Sequence, residues 1–199
     1  EMCIRDSVKN FFVLTSQFRV PPAIKTLLSN PANTVQGFLA AGHVCAVTGQ
    51  SEYQDLAKNY RVPIVISGFE PVDILESILM CVHQLEQGSC EVANQYSRVV
   101  RDHGNPDALA LIAEVFEPCS RIWRGLGAID ESGFTFSSKF ARFDAALKFP
   151  RIDAMKPVRT ICQAGQILSG KIKPFQCSEF GVGCTPDHPL GAPMVSSEG

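Results

Sequence analysis

The 199-residue sequence lacks the features that would direct it to nucleic acid or to a membrane. Its 18 lysines and arginines are outnumbered by 20 aspartates and glutamates, so no excess of positive charge is available to bind a phosphate backbone. No apolar run approaches the roughly 20 residues that span a bilayer, and the first residues contain no apolar signal segment. We therefore expect a cytoplasmic protein without nucleic-acid or membrane partners.

The sequence also lacks the close cysteine pairs, such as Cys-x-x-Cys, that are typical of zinc sites, although it contains eight cysteines. In a reducing compartment, thiols serve as buried hydrophobes, metal ligands or nucleophiles rather than as disulfides. Cys162, Cys177 and Cys184 lie among glycines, prolines and polar residues, in a segment that buries too little apolar surface to order itself. Their wide spacing suits an iron–sulfur cluster. A zinc-stapled protein-binding module and unrelated buried thiols are the alternatives.

Short apolar segments alternate with helical patterns along the first part of the chain. The predicted strands are Asn10–Leu14, His43–Thr48 and Val62–Ser67, and the predicted helices are Pro21–Leu28, Ser51–Tyr60, Pro71 to Gly88 and Pro106–Glu117. Such alternation favours an α/β fold with a Rossmann-like, doubly wound parallel sheet. The helix that begins at Pro71 is predicted to carry its apolar positions on one face, namely Ile74, Leu75, Ile78, Leu79, Val82 and Leu85, and to end at Gly88.

Changes in composition predict four segments. Residues 1–7 match no element pattern and are interpreted as a non-native leader. An α/β domain is predicted over 8–128, followed by a phenylalanine-rich return segment over 129–161 that packs on the core. Residues 162–199 form the loop-rich cysteine module.

Two polar residues near predicted strands are candidates for a catalytic site. Parallel sheets place functional groups at the carboxyl ends of their strands, and Glu70 follows one such end. With His43 it could form an acid and base pair that acts on a small molecule. The alternatives are that Glu70 caps the following helix and that His43 is a structural group at the start of a strand.

Several longer motifs carry a family resemblance. They are Phe38-Leu-x-x-Gly-His-Val44, Gly68-Phe-Glu-Pro-Val-Asp-Ile-Leu75, Asn94-Gln-Tyr96, Trp123-Arg-Gly-Leu-Gly127, Phe143-Asp-Ala145, Cys177-x-x-Phe-Gly-x-x-Cys-Thr-Pro-x-x-Pro-x-Gly-Ala192 and Met194-Val-Ser-Ser-Glu-Gly199. In this order they closely resemble the HypD family of hydrogenase maturation factors, from about Asn10 to Gly199.

The resemblance implies a cytoplasmic accessory protein for [NiFe]-hydrogenases. Members of the family work with HypC as the scaffold on which an Fe(CN)2(CO) group is assembled, and HypE supplies the cyanide. The hydrogenase large subunit is then served indirectly. The family also carries a [4Fe-4S] cluster, and Cys162, Cys177 and Cys184 match its cluster-region cysteines.

Departures from the family pattern limit what the resemblance implies. Its early Cys-Gly-x-His and Cys-Pro-x-Cys motifs have no counterpart here, and its further cysteine follows Ser-Ser-Glu-Gly. We therefore expect this chain to be a carboxyl-terminal portion of a longer parent, with the fourth ligand beyond Gly199 and no assembly activity of its own. The family often reads Cys-x-Cys-Gly where this chain has Cys162-Gln-Ala164-Gly165, which leaves open which position of that pair binds the cluster.

Overall fold

A computed structural model describes residues 9–149, 161–191 and 194–195 and divides the chain into two compact units. The sheet unit is Val35–Glu114, and the hairpin unit combines Glu1–Thr34 with Val115–Gly199. The predicted leader at residues 1–7 and residues 150–160 of the predicted return segment lie outside the described residues. In the part of the chain that is described, no helix has both the length and the apolar character needed to cross a membrane.

Helices and strands follow one another along most of the described chain. In chain order they are α1 (Val20–Leu28), β1 (Phe38–Ala41), α2 (Gly42–Thr48), α3 (Ser51–Tyr60), β2 (Ile64–Ser67), α4 (Pro71–Gln87), β3 (Val92–Asn94), α5 (Pro106–Val115), β4 (Phe116–Trp123), β5 (Gly127–Phe136), α6 (Ala145–Lys148) and α7 (Ala164–Leu168). Two short 3-10 turns lie at Ala141–Phe143 and Pro174–Gln176.

A three-stranded parallel sheet forms the centre of the sheet unit. Strand β2 lies between β1 and β3, with Phe38 paired to Ile64 and Ile64 paired to Val92. All four residues of β2 are buried, as expected for a parallel strand with both faces covered. Helices α2 and α4 pack on β1 and β2, and α3 packs on β3. The predicted α/β class with a parallel sheet is thus confirmed.

The predicted strand His43–Thr48 is wrong, because these residues form helix α2. The strand beside β2 is instead Phe38–Ala41, and the helix begins directly after it at Gly42. A Cβ atom at Gly42 would lie 2.5 Å from the carbonyl oxygen of Ser67, so only glycine lets the chain turn this close to β2. This tertiary contact overrides the β propensity of the valines that follow.

The six apolar residues of α4 share one face, as predicted, and this face points away from the sheet. All six apolar residues on that face are exposed, by 39% at Ile74 up to 67% at Leu75. The helix packs on β1 and β2 with its other side, where Asp73 and Ser77 are buried. The predicted end of the helix is confirmed, because Gly88 takes the left-handed conformation that terminates it.

An antiparallel hairpin of β4 and β5 organises the hairpin unit, and α1 packs on β5. Its core consists of Val115, Phe136, Phe140 and Phe143. The predicted strand Asn10–Leu14 is wrong, because among the described residues its only ladder contact is an isolated parallel bridge between Val13 and Asp144. Phe11 and Val13 nevertheless pack against the core, which accounts for the apolar pattern of that segment.

Candidate functional site

The three predicted cluster ligands line one cavity within the hairpin unit. Cys162, Cys177 and Cys184 border a partly open cavity of about 280 Å³. Most of its remaining wall is apolar and includes Ile167, Leu168, Phe180, Leu190 and Met194. The described cysteines are free thiols. The fold therefore gathers soft sulfur donors, 22 residues apart in sequence from first to last, around a space poor in competing polar groups.

Short turns position Cys177 and Cys184. The amide of Cys177 donates to the carbonyl oxygen of Pro174 at 3.1 Å, which closes the 3-10 turn before it. The amide of Cys184 donates to the carbonyl of Glu179 at 2.7 Å, and that of Gly181 donates to the carbonyl of Cys184 at 3.0 Å. Gly181 has a φ of +72°, a left-handed conformation that glycine adopts without strain. These backbone hydrogen bonds hold the two cysteines in place in a segment whose described residues contain little helix and no strand of the sheets.

The sulfur of Cys184 already has one hydrogen-bond donor. Cys184 is buried, and its Sγ accepts the backbone N–H of Leu190 at 3.4 Å. Amide donors to a sulfur stabilise its thiolate form and raise the reduction potential of a bound iron–sulfur centre. The contact explains why the segment after Cys184 folds back on it.

Cys162 is placed by a close approach of two backbones. A Cβ atom on Gly165 would collide with the carbonyl oxygen of Gly125, so α7 packs directly on the turn between β4 and β5. Ala164 is buried and lines the same apolar cavity as Cys162. Cys162 and Ala164, the two positions that are often both cysteine in the family this chain resembles, therefore line the same apolar cavity.

A second, more polar cleft of about 410 Å³ also borders Cys162. Gln163, Gln166 and Lys171 line this cleft, which opens more widely than the apolar cavity. Cys162 thus lies between two spaces of different character, whereas Cys177 and Cys184 line only the apolar one of the two.

The donor set suits an iron–sulfur cluster in kind. Thiolates are the ligands that such clusters use, and an apolar wall limits access of water to them. Within the described ranges, however, no three His, Cys, Asp or Glu side chains are already grouped as a metal site. The cavity brings the sulfurs to one space but does not preassemble a ligand shell.

A hydrogen-bonded charge network lies at the carboxyl end of β2 in the sheet unit. Arg98 donates to both carboxylate oxygens of Asp73, at 2.8 Å and 2.6 Å. The side chain of Gln95 donates to Asp73 at 2.8 Å and accepts the N–H of Gly68 at 3.2 Å. Two side chains from the β3 end thereby fix the loop that leaves β2 against the start of α4.

Asp73 is the residue that sequence reasoning missed. The hydrogen bonds from Arg98, followed by that from Gln95, lower its pKa from 3.8 to about 2. The same pairing raises the pKa of Arg98. The available signal was its position at the third residue of α4, where an acidic side chain can accept the N–H of the residue before the helix, Glu70.

Glu70 and His43 are both surface groups. Glu70 precedes α4 at the N-cap position, but its side chain makes no capping hydrogen bond. That side chain is 77% exposed, and its Oε2 lies 3.7 Å from Arg98. His43 lies in the first turn of α2, and its ring centroid is 4.9 Å from that of Phe69. The predicted acid and base role of this pair stays a prediction.

A family model described as HypD, "Hydrogenase formation hypA family", matches residues 1–199. The chain belongs to the HypD family. It is 42% identical to the hydrogenase maturation factor HypD of Rhodobacter capsulatus, over 100% of this chain and 54% of that protein. It is 40% identical to the factor of the same name from Escherichia coli K12, over 96% of this chain and 52% of that protein. The chain thus spans about half the length of the curated HypD relatives it matches.

Two motif glycines of this HypD-family chain have a packing explanation. A Cβ atom on Gly68 would collide with the carboxylate of Asp73, and one on Gly42 would lie 2.6 Å from the Tyr96 ring. The ring of Tyr96 also lies under the guanidinium of Arg98, 4.5 Å from ring centroid to Cζ. Motifs that are far apart in sequence therefore meet at one edge of the parallel sheet.

Proposed function

We propose that this chain is the cluster-carrying portion of a [NiFe]-hydrogenase maturation scaffold. Its relatives bear the name hydrogenase maturation factor, and the family match covers the whole chain. The observation that carries the proposal is the apolar cavity bordered by Cys162, Cys177 and Cys184. A maturation factor that handles iron needs a site of soft donors shielded from water, and this cavity has that chemistry.

In this proposal the three cysteines hold a [4Fe-4S] cluster in the longer parent, with a fourth ligand from outside the described residues. When bound, such a cluster exchanges single electrons, which suits a redox step in metallocentre assembly. Cys184 contributes a sulfur that already accepts the backbone N–H of Leu190 at 3.4 Å. The apolar side chains around the cavity limit the access of water.

The partners and the cargo follow from the same proposal. The parent would work with HypC as the scaffold for an Fe(CN)2(CO) group, with cyanide supplied by HypE and delivery to a hydrogenase large subunit. This iron group is cargo and is separate from the resident cluster. We propose that the chain taken by itself does not assemble the group.

Anaerobic reconstitution with iron and sulfide tests the cluster site in this chain and in a version extended to the length of its relatives. We expect the extended protein to take up iron and to develop visible thiolate-to-iron absorption. Cys177→Ala and Cys184→Ala should each abolish most of that uptake. Cys119→Ala is the matched control, because Cys119 lies in β4 of the same unit and does not border the cavity. Uptake that is unchanged in the Cys177 and Cys184 variants would refute the assignment.

Metal analysis tests the alternative of a zinc-stapled binding module, and a Glu70 variant tests the alternative of a small-molecule enzyme. Purified protein that contains stoichiometric zinc, and no iron after reconstitution, would indicate a zinc-stapled binding module instead. A small-molecule enzyme would lose turnover in Glu70→Gln while its fold remained intact. A scaffold would keep iron uptake in that variant, since Glu70 lies in the sheet unit and the cysteines lie in the hairpin unit.

A further inference from the structure

Helix α4 directs its most apolar side away from the sheet that it covers. Helix α4 packs on β1 and β2, and its buried or half-buried side carries Asp73, Ser77, Met80, Cys81 and Gln84, of which all but Met80 are small or polar. Most of these side chains contribute little hydrophobic stabilisation when buried, and the carboxylate of Asp73 is paired with Arg98. An amphipathic helix ordinarily packs the opposite way, with its apolar stripe on the core.

The outer side of α4 carries a continuous apolar stripe. We define the α4 stripe as Ile74, Leu75, Ile78, Leu79, Val82 and Leu85, which are 39% to 67% exposed. Spacings of three and four residues place them on one side of the helix, over about 16 Å of its length. Val72, 64% exposed, extends the stripe toward the amino end of the helix.

Single exposed leucines are ordinary on protein surfaces, but a contiguous stripe is not. The exposed polar side chain of His83, four residues after Leu79, lies beside the stripe, as polar residues border the apolar centre of protein interfaces. The helix is long and properly ended by Gly88, so the stripe is not a product of local fraying. Its composition therefore indicates a surface that is covered in the functional protein.

We infer that the α4 stripe packs against the part of the longer HypD-family chain that has no counterpart in this sequence. The match covers 54% of the Rhodobacter capsulatus relative, so 100 − 54 = 46% of that protein lies outside it. That portion is large enough to form a further folded unit. A covering unit in the same chain would bring apolar residues of its own onto the stripe.

The size of the stripe favours a tethered unit over a second copy of this chain. Six aliphatic residues that are 39% to 67% exposed present an accessible surface of a few hundred Å², below the roughly 800 Å² that each partner buries in a stable complex. A unit joined through the same backbone is held at high effective concentration, so a small apolar contact is sufficient to keep it in place.

A chimera provides the test. In the Rhodobacter capsulatus relative, the matching 54% is replaced by this chain, and the double variant Leu75→Asp with Leu79→Asp is compared in the chimera and in the 199-residue chain. We expect the substitutions to lower the thermal midpoint of the chimera by about 5 °C or more and to change that of the shorter chain by less than about 2 °C. Equal shifts in the two proteins would overturn the inference.

Leu147→Asp is the matched control, because Leu147 is 73% exposed on α6 in the other unit. It should have the same small effect in both proteins. If the aspartate chimera does not fold, carbene footprinting of the unsubstituted proteins decides instead. Labelling of the α4 peptide should then fall several-fold in the chimera relative to the shorter chain, and equal labelling would overturn the inference.

Sedimentation of the 199-residue chain tests whether a second copy of this chain covers the α4 stripe instead. We expect a monomer at micromolar concentration. A dimer that is lost in the Leu75→Asp, Leu79→Asp variant would mean that a second copy covers the stripe, and the inference would then be wrong. Neither result depends on cluster binding, so this test and the iron test fail independently.

Discussion

The two candidate sites differ in how completely their polar groups are satisfied within the chain. At the strand ends, the carboxylate of Asp73 receives two bonds from Arg98 and one from Gln95, so its charge is already paired. In the cysteine cavity, the thiols of Cys162 and Cys177 border apolar space. The polar groups of the first site are therefore satisfied within the chain, whereas the second is the site that we propose is completed by a cluster.

The two sites also rest on different kinds of support. Charged hydrogen bonds join β3 to α4 at the first, while turns and the close glycine contact hold the second. Optical probes separate them, because all three tyrosines (Tyr53, Tyr60, Tyr96) lie in the sheet unit and the one tryptophan, Trp123, lies in the hairpin unit. Each site can thus be perturbed and followed by its own signal in a single sample.

The largest expected effect comes from Arg98→Ala. It leaves the buried carboxylate of Asp73 without its main partner, which is far more costly than losing a surface ion pair. We expect the midpoint of thermal unfolding followed by tyrosine emission to fall by about 5–10 °C. The matched control is Arg101→Ala, since Arg101 is exposed and its guanidinium donates to the backbone carbonyl of Ser97. A shift no larger than that of the control would show that the network does not stabilise the sheet unit.

Gly165→Ala is expected to disturb the contact that positions Cys162. A methyl group there collides with the Gly125 carbonyl and must push α7 away from the β4–β5 turn. We expect a loss of about 1–3 kcal/mol in the free energy of unfolding followed by tryptophan emission, together with weaker iron uptake. Gly127→Ala is the control, because Gly127 has a φ of +86° but open space around it. It should cost about 1 kcal/mol through backbone strain alone and leave iron uptake unchanged. Equal iron uptake in the two variants would mean that this contact does not position Cys162.

The sequence predicted those elements whose local and tertiary preferences agree. Helix α3 has its predicted bounds, and β2 lies within its predicted segment, because a Val-Ile-rich run between breakers suits a buried strand. The strand prediction for His43–Thr48 was wrong because Gly42 permits a close backbone contact with Ser67. The periodicity of the sequence does not reveal such a contact. The apolar side of α4 was identified correctly, but amphipathicity does not say which part of a protein covers that side.

The candidate sites show the same division. Composition identified Cys162, Cys177 and Cys184 as candidate metal ligands in a loop-rich segment, and the structure places all three on one cavity. Asp73 was missed because its partners Gln95 and Arg98 lie more than 20 residues away, on the far side of α4 in sequence. Long-range charge pairs leave no periodic trace, so only the fold shows that Asp73 is buried and paired.

The smallest effect is confined to acid and tests whether the Asp73 pairing is as complete as the geometry indicates. Because the pKa of Asp73 falls from 3.8 to about 2 on folding, its ionised form favours the native state. That contribution is fully present above about pH 4 and is lost as the pH falls toward 2. The difference in urea midpoint between the unsubstituted 199-residue chain and its Asp73→Asn variant, followed by tyrosine emission, should therefore shrink as the pH is lowered from about 5 to about 2.5. Glu76→Gln is the control on the same helix, since Glu76 accepts one exposed bond from Gln95. A gap for Asp73→Asn that stays constant across this range would mean that the carboxylate is no better stabilised in the folded chain than in the unfolded one, and the contrast between a finished network and an open cysteine site would fail.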